Sequence, residues 1–443
     1  MRIARALACL VAVPLMAAPL RRPYTVENYD AAIQADVAGR RLIGEATIRF
    51  HSLSDTPISA LELDAGGLRI ASVAEGRAAQ YFERNGRMLA VVLTNPLRPD
   101  EHRSITVRYE AGAAEGLKFF PDQVYTTVAS DWIPCNDRPG ERATLHLTLT
   151  APAGYQAAAS GQLTGTRASG ALSVTEWQLD AGVAPAQFGF AVGGFAGSAS
   201  EAEGVKLRAL GAGTRNFEAT AAALRYLSGR TGKAYPGQTY TQVFVHGDAA
   251  LSLAGGLTLL PETATAEELW AETSLLARQW YGVGVGLKDW SDAWLSEGIA
   301  AFVADEFVAE RLGADAFQRE IEHSRQAYNR RRTEGTDRPL SFIEWTTRQD
   351  AGGEIPIHKG VCFLFLLHEM VGDKAFWDGL KTFTGEQWGQ AASSEDFQQV
   401  FEGAKAEAAS GKKGGKAAGK SGASPVDKLF DTWVWGIAAG SAK

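Results

Sequence analysis

The sequence predicts a multidomain α+β protein, in which an N-terminal antiparallel β domain of saddle or sandwich type precedes a mainly α-helical domain. Apolar and polar residues alternate with a period of two over the first two hundred residues, whereas helical spacing dominates after Val205. The chain has 443 residues, which exceeds what one compact core accommodates. We therefore expect a β domain over residues 23–204 and a second domain over residues 205–443.

Composition is typical of a soluble globular protein. Hydrophobic residues make up 45% of the chain and charged residues 21%. The net charge is −7 at pH 7, which disfavours binding to nucleic-acid phosphates and to anionic membranes. We expect no nucleic-acid partner and no integral membrane span in the mature chain.

The first eighteen residues have the layout of a signal peptide. Arg2 and Arg5 precede an apolar run over residues 6–15, and the small residues Ala17 and Ala18 follow. The run is too short to span a bilayer as a helix. We expect residues 1–18 to be a cleaved leader and the protein to be periplasmic or secreted, an uncleaved anchor or a buried strand being the alternatives.

Removal of the leader leaves Cys135 and Cys362. They are far apart in the sequence, and each is surrounded by apolar residues. We predict that both pack in the core and form no disulfide.

Within the β domain, alternation is clearest over residues 46–50, 105–109 and 145–149. Asn85-Gly86 separates two shorter runs and predicts a hairpin turn. Three histidines lie within or beside these strands with no acidic or histidine partner at ligand spacing, so we interpret them as surface or pleat positions; they are His51, His102 and His146.

The second domain is predicted to hold a short strand over residues 240–246 and several helices. The predicted helices cover residues 216–229, 266–281, 292–311, 315–331, 358–370, 373–384 and 395–403. Residues 404–424 consist almost wholly of Ala, Gly, Lys and Ser and predict a flexible insert. Leu429, Phe430, Trp433 and Trp435 then predict a last packed helix.

Short motifs occur in a fixed order along the chain. The first is Trp-Ile-Pro-Cys-Asn-Asp-Arg-Pro at residues 132–139, and the others lie at residues 188–193, 235–236, 279–282, 290–298 and 358–360. Together they resemble the membrane alanyl aminopeptidase family, a group of zinc exopeptidases of the gluzincin clan. The resemblance covers Tyr29 to about Trp435, and it implies a thermolysin-like catalytic-type domain after the β domain.

The chemistry of that family depends on a helical His-Glu-x-x-His motif and on a glutamate separated from the second histidine by eighteen residues. The resemblance places this glutamate at Glu297. Counting back puts the two histidine positions at Ser274 and Arg278, and the general base at Leu275. Serine is a poor zinc ligand, leucine exchanges no proton, and arginine stays positively charged. We therefore expect the zinc of the family to be lost, with no cofactor in its place.

Two further family elements are also replaced. The glutamate that holds the substrate amine corresponds to Thr258, within Gly255 to Leu259, and no acidic residue lies between Asp248 and Glu262 to take its place. The tyrosine that stabilises the oxyanion corresponds to Ile357. The resemblance therefore implies that amine binding, metal, base and oxyanion donor are all absent.

Other residues near the former active site are candidates for binding. Trp280 and Trp294, with Trp270 and Trp290, line a ligand surface or pack between helices, and the sequence does not separate these interpretations. The remaining candidate cleft residues are His358, Gly255 and Gly256. His368-Glu369 begins like a zinc motif, but Gly372 stands at the second histidine position, so we interpret it as a helix end.

A buried carboxylate without a partner is unfavourable, so Glu297 needs a counter-charge. We predict that the Arg278 guanidinium occupies the space of the missing ion and pairs with Glu297. The alternative turns Arg278 to solvent.

These expectations favour an aminopeptidase-family pseudoenzyme, a non-catalytic binding or scaffolding protein of the cell envelope with an unknown protein or peptide ligand. Two alternatives stay open. One is a hydrolase that acts through Glu297 and His358, and the other is a divergent metallopeptidase with substitute ligands.

Overall fold

A computed structural model describes residues 22–211, 215–264, 269–410 and 424–436. The leader expected at residues 1–18 lies outside these ranges. Within them, no helix is both long and apolar enough to cross a membrane.

The first domain is built of strands. They are β1 (Tyr24–Asp36), β2 (Arg41–Ser52), β3 (Ile58–Asp64), β4 (Arg69–Glu75), β5 (Ala78–Ala79), β6 (Tyr81–Asn85), β7 (Met88–Leu97), β8 (His102–Gly112), β9 (Leu117–Phe119), β10 (Gln123–Thr126), β11 (Ala143–Pro152), β12 (Gln156–Ala159), β13 (Gln162–Ser169), β14 (Leu172–Val183) and β15 (Phe190–Gly193).

These strands form a large eight-stranded sheet with the order β13-β14-β11-β1-β2-β8-β4-β5, and smaller sheets β3-β7-β6 and β12-β15-β10-β9. Pairing is antiparallel except between β1 and β11. Buried residues alternate with exposed or half-buried residues along β2 and with half-buried residues along β11, so the predicted period of two is confirmed. The predicted hairpin is also present, since Asn85 pairs with Met88 around Gly86, whose φ is 58°.

The second domain combines a sheet with helices. Its elements are β16 (Gly197–Ala202), β17 (Val205–Leu210), α1 (Glu218–Thr231), β18 (Thr239–Val245), β19 (Leu251–Leu253), β20 (Leu257–Pro261), α2 (Leu269–Ala277), β21 (Gly286–Leu287), α3 (Trp294–Leu312), α4 (Ala314–Thr333), α5 (Arg348–Ala351), α6 (Gly360–Val371), α7 (Asp373–Glu386), β22 (Ala391–Ala392), α8 (Ser394–Ser410) and α9 (Pro425–Trp433).

The predicted division after residue 204 falls inside a sheet. β16 and β17 pair across it and join β18, β20 and β19 in the order β16-β17-β18-β20-β19. Since β16 hydrogen-bonds to β17, it belongs to the second sheet. Its alternating residues resemble those of the preceding strands, which is why the sequence pattern placed it in the first domain.

The predicted insert also needs correction at both ends. α8 runs to Ser410, and Ser424 caps α9 by accepting a hydrogen bond from the Asp427 backbone N–H. Residues 411–423 lie outside the described part of the chain. The predicted packed helix beyond the insert is confirmed as α9, with Leu429 and Phe430 buried.

The two described cysteines are free and buried, as predicted. Cys135 lies in the core of the β domain, where burial raises the pKa of its thiol well above the ordinary value. Cys362 lies in the core of the helical domain. No disulfide links them.

Helices α3 and α6 approach each other at two glycines. A Cβ atom added at Gly298 would lie 2.8 Å from the Pro356 carbonyl oxygen and 3.1 Å from the Gly360 Cα atom. The backbones therefore touch directly beside Glu297. These glycines belong to the Glu-Gly and Lys-Gly motifs, so close packing explains both of them without any catalytic role.

Gly298→Ala is expected to lower the free energy of unfolding by about 1–3 kcal/mol, because the added methyl group overpacks this crossing. The control is Gly229→Ala in α1, where an added Cβ meets nothing within 4 Å. That change is expected to be neutral or stabilising by up to about 1 kcal/mol. Urea denaturation of both variants checks this, and equal effects would contradict the close approach.

Asp292 anchors the start of α8. Its Oδ1 accepts hydrogen bonds of 2.8 Å from both the backbone N–H and the hydroxyl of Ser394, and the Trp294 indole donates to the same hydroxyl. Burial raises the pKa of Asp292 from 3.8 to about 6, although the Ser394 hydrogen bonds oppose this shift.

Because the pKa of Asp292 is higher in the folded state than in the unfolded state, the protonated side chain favours folding. This contribution to the free energy of unfolding is complete below about pH 4 and is lost as the pH rises through about 6. Asp292→Asn keeps an acceptor oxygen but no longer titrates. We expect this variant to show a flatter fall in the free energy of unfolding between pH 4 and 6, measured by urea denaturation. If the free energy of unfolding of this variant fell as steeply with pH as that of the parent chain, Asp292 would not be the source of the pH dependence.

Candidate functional site

The site predicted from the sequence lies between α2 and α3. Ser274 and Leu275 are buried on α2, Arg278 follows its last residue, and Glu297 lies in the first turn of α3. Arg278 Nη2 forms an ion pair with Glu297 Oε2, and each side chain is only 16% exposed. The guanidinium therefore links the two helices.

Gln279 fixes the end of α2 against the edge of the five-stranded sheet. Its side-chain amide donates to the Ser252 hydroxyl at 2.6 Å and to the Leu253 carbonyl at 2.8 Å, and its carbonyl accepts from the Gly256 N–H at 3.2 Å. A fully buried amide with these partners positions β19 beside Arg278.

A second arginine enters the site from α5. Arg348 donates to the Ala186 carbonyl at 2.5 Å and to the Ser252 carbonyl at 3.5 Å. Its pKa is lowered to about 10, mainly by burial and also by Arg278, while Glu297 and Asp137 oppose the shift. Arg348 lies in none of the motifs, so no sequence signal indicated it.

The cavity at this place is small. It measures about 20 Å³ and is lined by Arg278, Glu297, Arg348, Ser252 and Gln187, among others. Such a volume holds about one water molecule. Pockets for small-molecule ligands measure roughly 300–1,000 Å³. The space between α2 and α3 is thus filled by the arginines.

Ser252, not Thr258, faces this cavity from the sheet. The two residues are cross-strand partners on β19 and β20, and Thr258 is fully buried on the inner strand. Gly255 and Gly256 form the turn between these strands with φ of 70° and 79°, which explains their glycine identity. They line a separate cavity of about 180 Å³.

Two of the tryptophans near the site are buried in the core, and a third lines the cavity. Trp280 and Trp294 are completely buried, and their indole N–H groups donate to the Lys233 carbonyl and to the Ser394 hydroxyl, both at 2.9 Å. Neither lines the cavity at Glu297, so they pack between elements. Trp290 does line it.

His358 does not line the cavity at Glu297. It belongs to a π-helical turn over Ile355–Lys359, its Nδ1 lies 3.1 Å from the Ser324 hydroxyl, and its ring contacts His323. Burial and the neighbouring His323 together lower the pKa of His358 to about 4. Ile357 packs against the helical core.

His368 lies near the end of α6, as predicted. It contacts Glu306 at 3.3 Å and Asp373 at 3.2 Å, and Gly372, with a φ of 85°, caps the helix.

The Pro-Cys-Asn-Asp motif lies on the β-domain side of the interface. Cys135 exchanges backbone hydrogen bonds with Asp64, and the Asp137 N–H donates to the Asp64 carboxylate at 2.9 Å. Arg22 pairs with the same carboxylate at 3.0 Å. Burial raises the pKa of Asp137 to about 6, with Asp64 adding to the shift.

A larger cleft separates the two domains next to this motif. It measures about 740 Å³ and lies between residues 137–142 of the β domain and residues 288–290 and 345–346 of the helical domain. Trp290 lines both this cleft and the small cavity.

Comparison with known proteins agrees with this architecture. The profile of the M1 peptidase family domain matches residues 273–433. The M1 zinc metallopeptidase from Deinococcus radiodurans superposes with a TM-score of 0.75 at 26% identity, over 88% of this chain and 93% of that chain. A variant of that enzyme bound to a Tyr-Ser-Ala substrate gives a TM-score of 0.73 at 25% identity, over 87% and 92%.

The chain is therefore M1 peptidase-like, since the family domain matches residues 273–433 and the two-domain fold is that of an M1 zinc metallopeptidase. Aminopeptidase N of Haemophilus influenzae is 27% identical to this chain over 153 residues, 32% of this chain and 17% of that protein. Human aminopeptidase O is 25% identical over 150 residues, 28% of this chain and 18% of that protein. The matched region of this chain thus spans less than a fifth of the length of these two relatives.

Proposed function

We propose that this M1 peptidase-like chain is a non-catalytic binding protein, in which an ion pair has replaced the zinc centre. The observation that carries the proposal is the contact between Arg278 and Glu297. A permanent cation occupies the position of one histidine ligand and engages the carboxylate that would be the third ligand.

The remaining donors do not fit zinc either. Zinc sites use Cys, His, Asp or Glu, and a catalytic site supplies three of them. Ser274 and Leu275 offer no such donor. Among the described residues, no three side chains of these types converge at Glu297. We therefore derive no reaction step through a metal at this site.

A hydrolase without metal has little support. The alternative that uses Glu297 with His358 requires both groups in one cleft, but His358 contacts Ser324 and His323 and does not line the cavity at Glu297. A single carboxylate that is engaged by Arg278 lacks a partner for acid–base catalysis.

The interdomain cleft is the better place for a ligand. At about 740 Å³ it has the size of an ordinary ligand pocket, whereas the cavity at Glu297 does not. Its walls carry charges of both signs, such as Asp137 and Lys288, beside the indole rings of Trp290 and Trp345. Such a surface suits a peptide, which carries both charges and apolar side chains.

The layout of residues 1–18 supports export, and we propose a place in the cell envelope for this binding function. Fractionation with an antibody against the chain tests that point.

Catalysis is tested by the turnover of fluorogenic aminoacyl and peptide substrates, with and without a chelator, together with metal analysis. We expect no turnover in either condition. Chelator-sensitive turnover would support a metallopeptidase, and chelator-resistant turnover would support the hydrolase. Either result would overturn the proposal.

Binding is tested by adding short peptides to the protein and measuring the change in tryptophan fluorescence, since Trp290 and Trp345 line the cleft.

A further inference from the structure

Three potential metal ligands converge on the eight-stranded sheet of the β domain. His51 Nδ1 and His102 Nδ1 each lie 2.9 Å from Glu27 Oε1. The three ligand atoms all lie within 4.8 Å of one another, and this is the only such group among the described residues. The sequence pattern indicated no partner for either histidine, whereas in the structure both contact Glu27.

The sheet itself creates this cluster. His51 on β2 pairs directly with His102 on β8, which places their side chains side by side on one face. The register between β1 and β2 shifts between Val26 and Asn28, so Glu27 is the extra residue of a β-bulge. The bulge turns Glu27 toward the two rings, whose centroids are 4.8 Å apart.

The charge of the cluster suits a cation. The Glu27 carboxylate contacts both rings through one oxygen, and a carboxylate with two imidazoles is a donor set that binds divalent ions. The side chains are 31%, 27% and 60% exposed for Glu27, His51 and His102, so an ion reaches the cluster directly from solvent.

The distances suit a first-row transition metal. Zinc bonds to histidine nitrogen and carboxylate oxygen are about 2.0–2.2 Å long, so adjacent ligand atoms around one ion lie roughly 3.0–3.5 Å apart. The two nitrogen–oxygen separations are within a few tenths of an ångström of this range. The two nitrogens lie within 4.8 Å of each other, and rotation of the partly exposed rings can bring them to the same spacing.

We propose that Glu27, His51 and His102 bind one divalent transition ion of the copper and zinc class, with solvent in the remaining coordination positions. Imidazole nitrogen favours such ions over Mg²⁺ and Ca²⁺, which prefer oxygen ligands. Binding displaces the Nδ1 protons that otherwise connect the two rings to the carboxylate. The site is in the first domain and does not depend on the cleft at Glu297.

The test is calorimetric titration of the untagged chain with Cu²⁺ and with Zn²⁺, together with electron paramagnetic resonance of the Cu²⁺ form. We expect one ion per chain and a nitrogen splitting pattern from two imidazoles. His51→Gln or His102→Gln should each weaken binding at least tenfold, the double variant should abolish it, and Mg²⁺ should not bind.

Two matched controls separate this site from other sources of binding. His146 also contacts a single carboxylate, Asp30, at 3.2 Å on the same sheet, so His146→Gln should leave the affinity unchanged. Glu297→Gln should leave it unchanged as well. Binding that survives the double histidine substitution, or that falls equally in His146→Gln, would overturn the proposal. Thermal unfolding of each variant verifies that it is folded.

Discussion

Glu297→Gln is expected to lower the free energy of unfolding by about 3 kcal/mol, at the lower end of what breaking a buried ion pair costs. The substitution leaves Arg278 beside Arg348 in a cavity of about 20 Å³. Two enclosed cations then repel each other with little solvent to screen them. Urea denaturation at pH 7 measures the effect.

The opposite substitution is expected to cost less. In Arg278→Gln, the charge of Glu297 still faces Arg348, whose pKa depends on both partners. An exposed pair, Glu322 with Arg325 on α4, is the control, and Glu322→Gln should change stability by less than about 1 kcal/mol. A loss in Glu297→Gln no greater than in either of these two variants would contradict the role assigned to Arg348.

Restoring the motif is expected to create a zinc site. The triple variant Ser274→His, Leu275→Glu, Arg278→His places two imidazoles one helical turn apart and frees Glu297 as the third ligand. Its apo form should be less stable than the parent chain, because Leu275 is buried. Zinc at about 1,000 times its dissociation constant should then raise the free energy of unfolding by about 4 kcal/mol.

The control for this experiment is the double variant Ser274→His, Leu275→Glu, which retains Arg278 and should gain nothing from zinc at the α2–α3 site. Combining both variants with His51→Gln and His102→Gln removes the cluster on the β domain from the comparison. We expect no peptide turnover even in the zinc-loaded triple variant, because the cavity remains small and Ser252 and Ile357 are unchanged. Failure of zinc to stabilise it would contradict the proposed register between α2 and α3.

Local patterns and spacing predicted much of this structure. Alternation alone predicted strands such as β2 and β11. The family resemblance placed Glu297 at a ligand position, and counting back from it indicated that Arg278 would meet Glu297 between the helices.

The features that the sequence did not indicate depend on contacts between distant segments. Arg348 reaches the cavity from a four-residue helix with no recognisable motif. Ser252, and not Thr258, lines the cavity because a tight turn reverses the chain between β19 and β20. Glu27 meets His51 and His102 through a bulge and a strand pairing, and neither is visible in a linear pattern.

The backbone contact between Gly298 and Gly360 also affects how chains of this kind are classified. A helix crossing this close leaves little room for a Cβ atom, so packing explains its two glycines whether or not any chemistry takes place beside them. A sequence profile that scores these two glycines therefore detects the fold and gives no information about activity. Relatives of this protein that carry the peptidase label on such matches need their metal-binding helix inspected residue by residue before an activity is assigned.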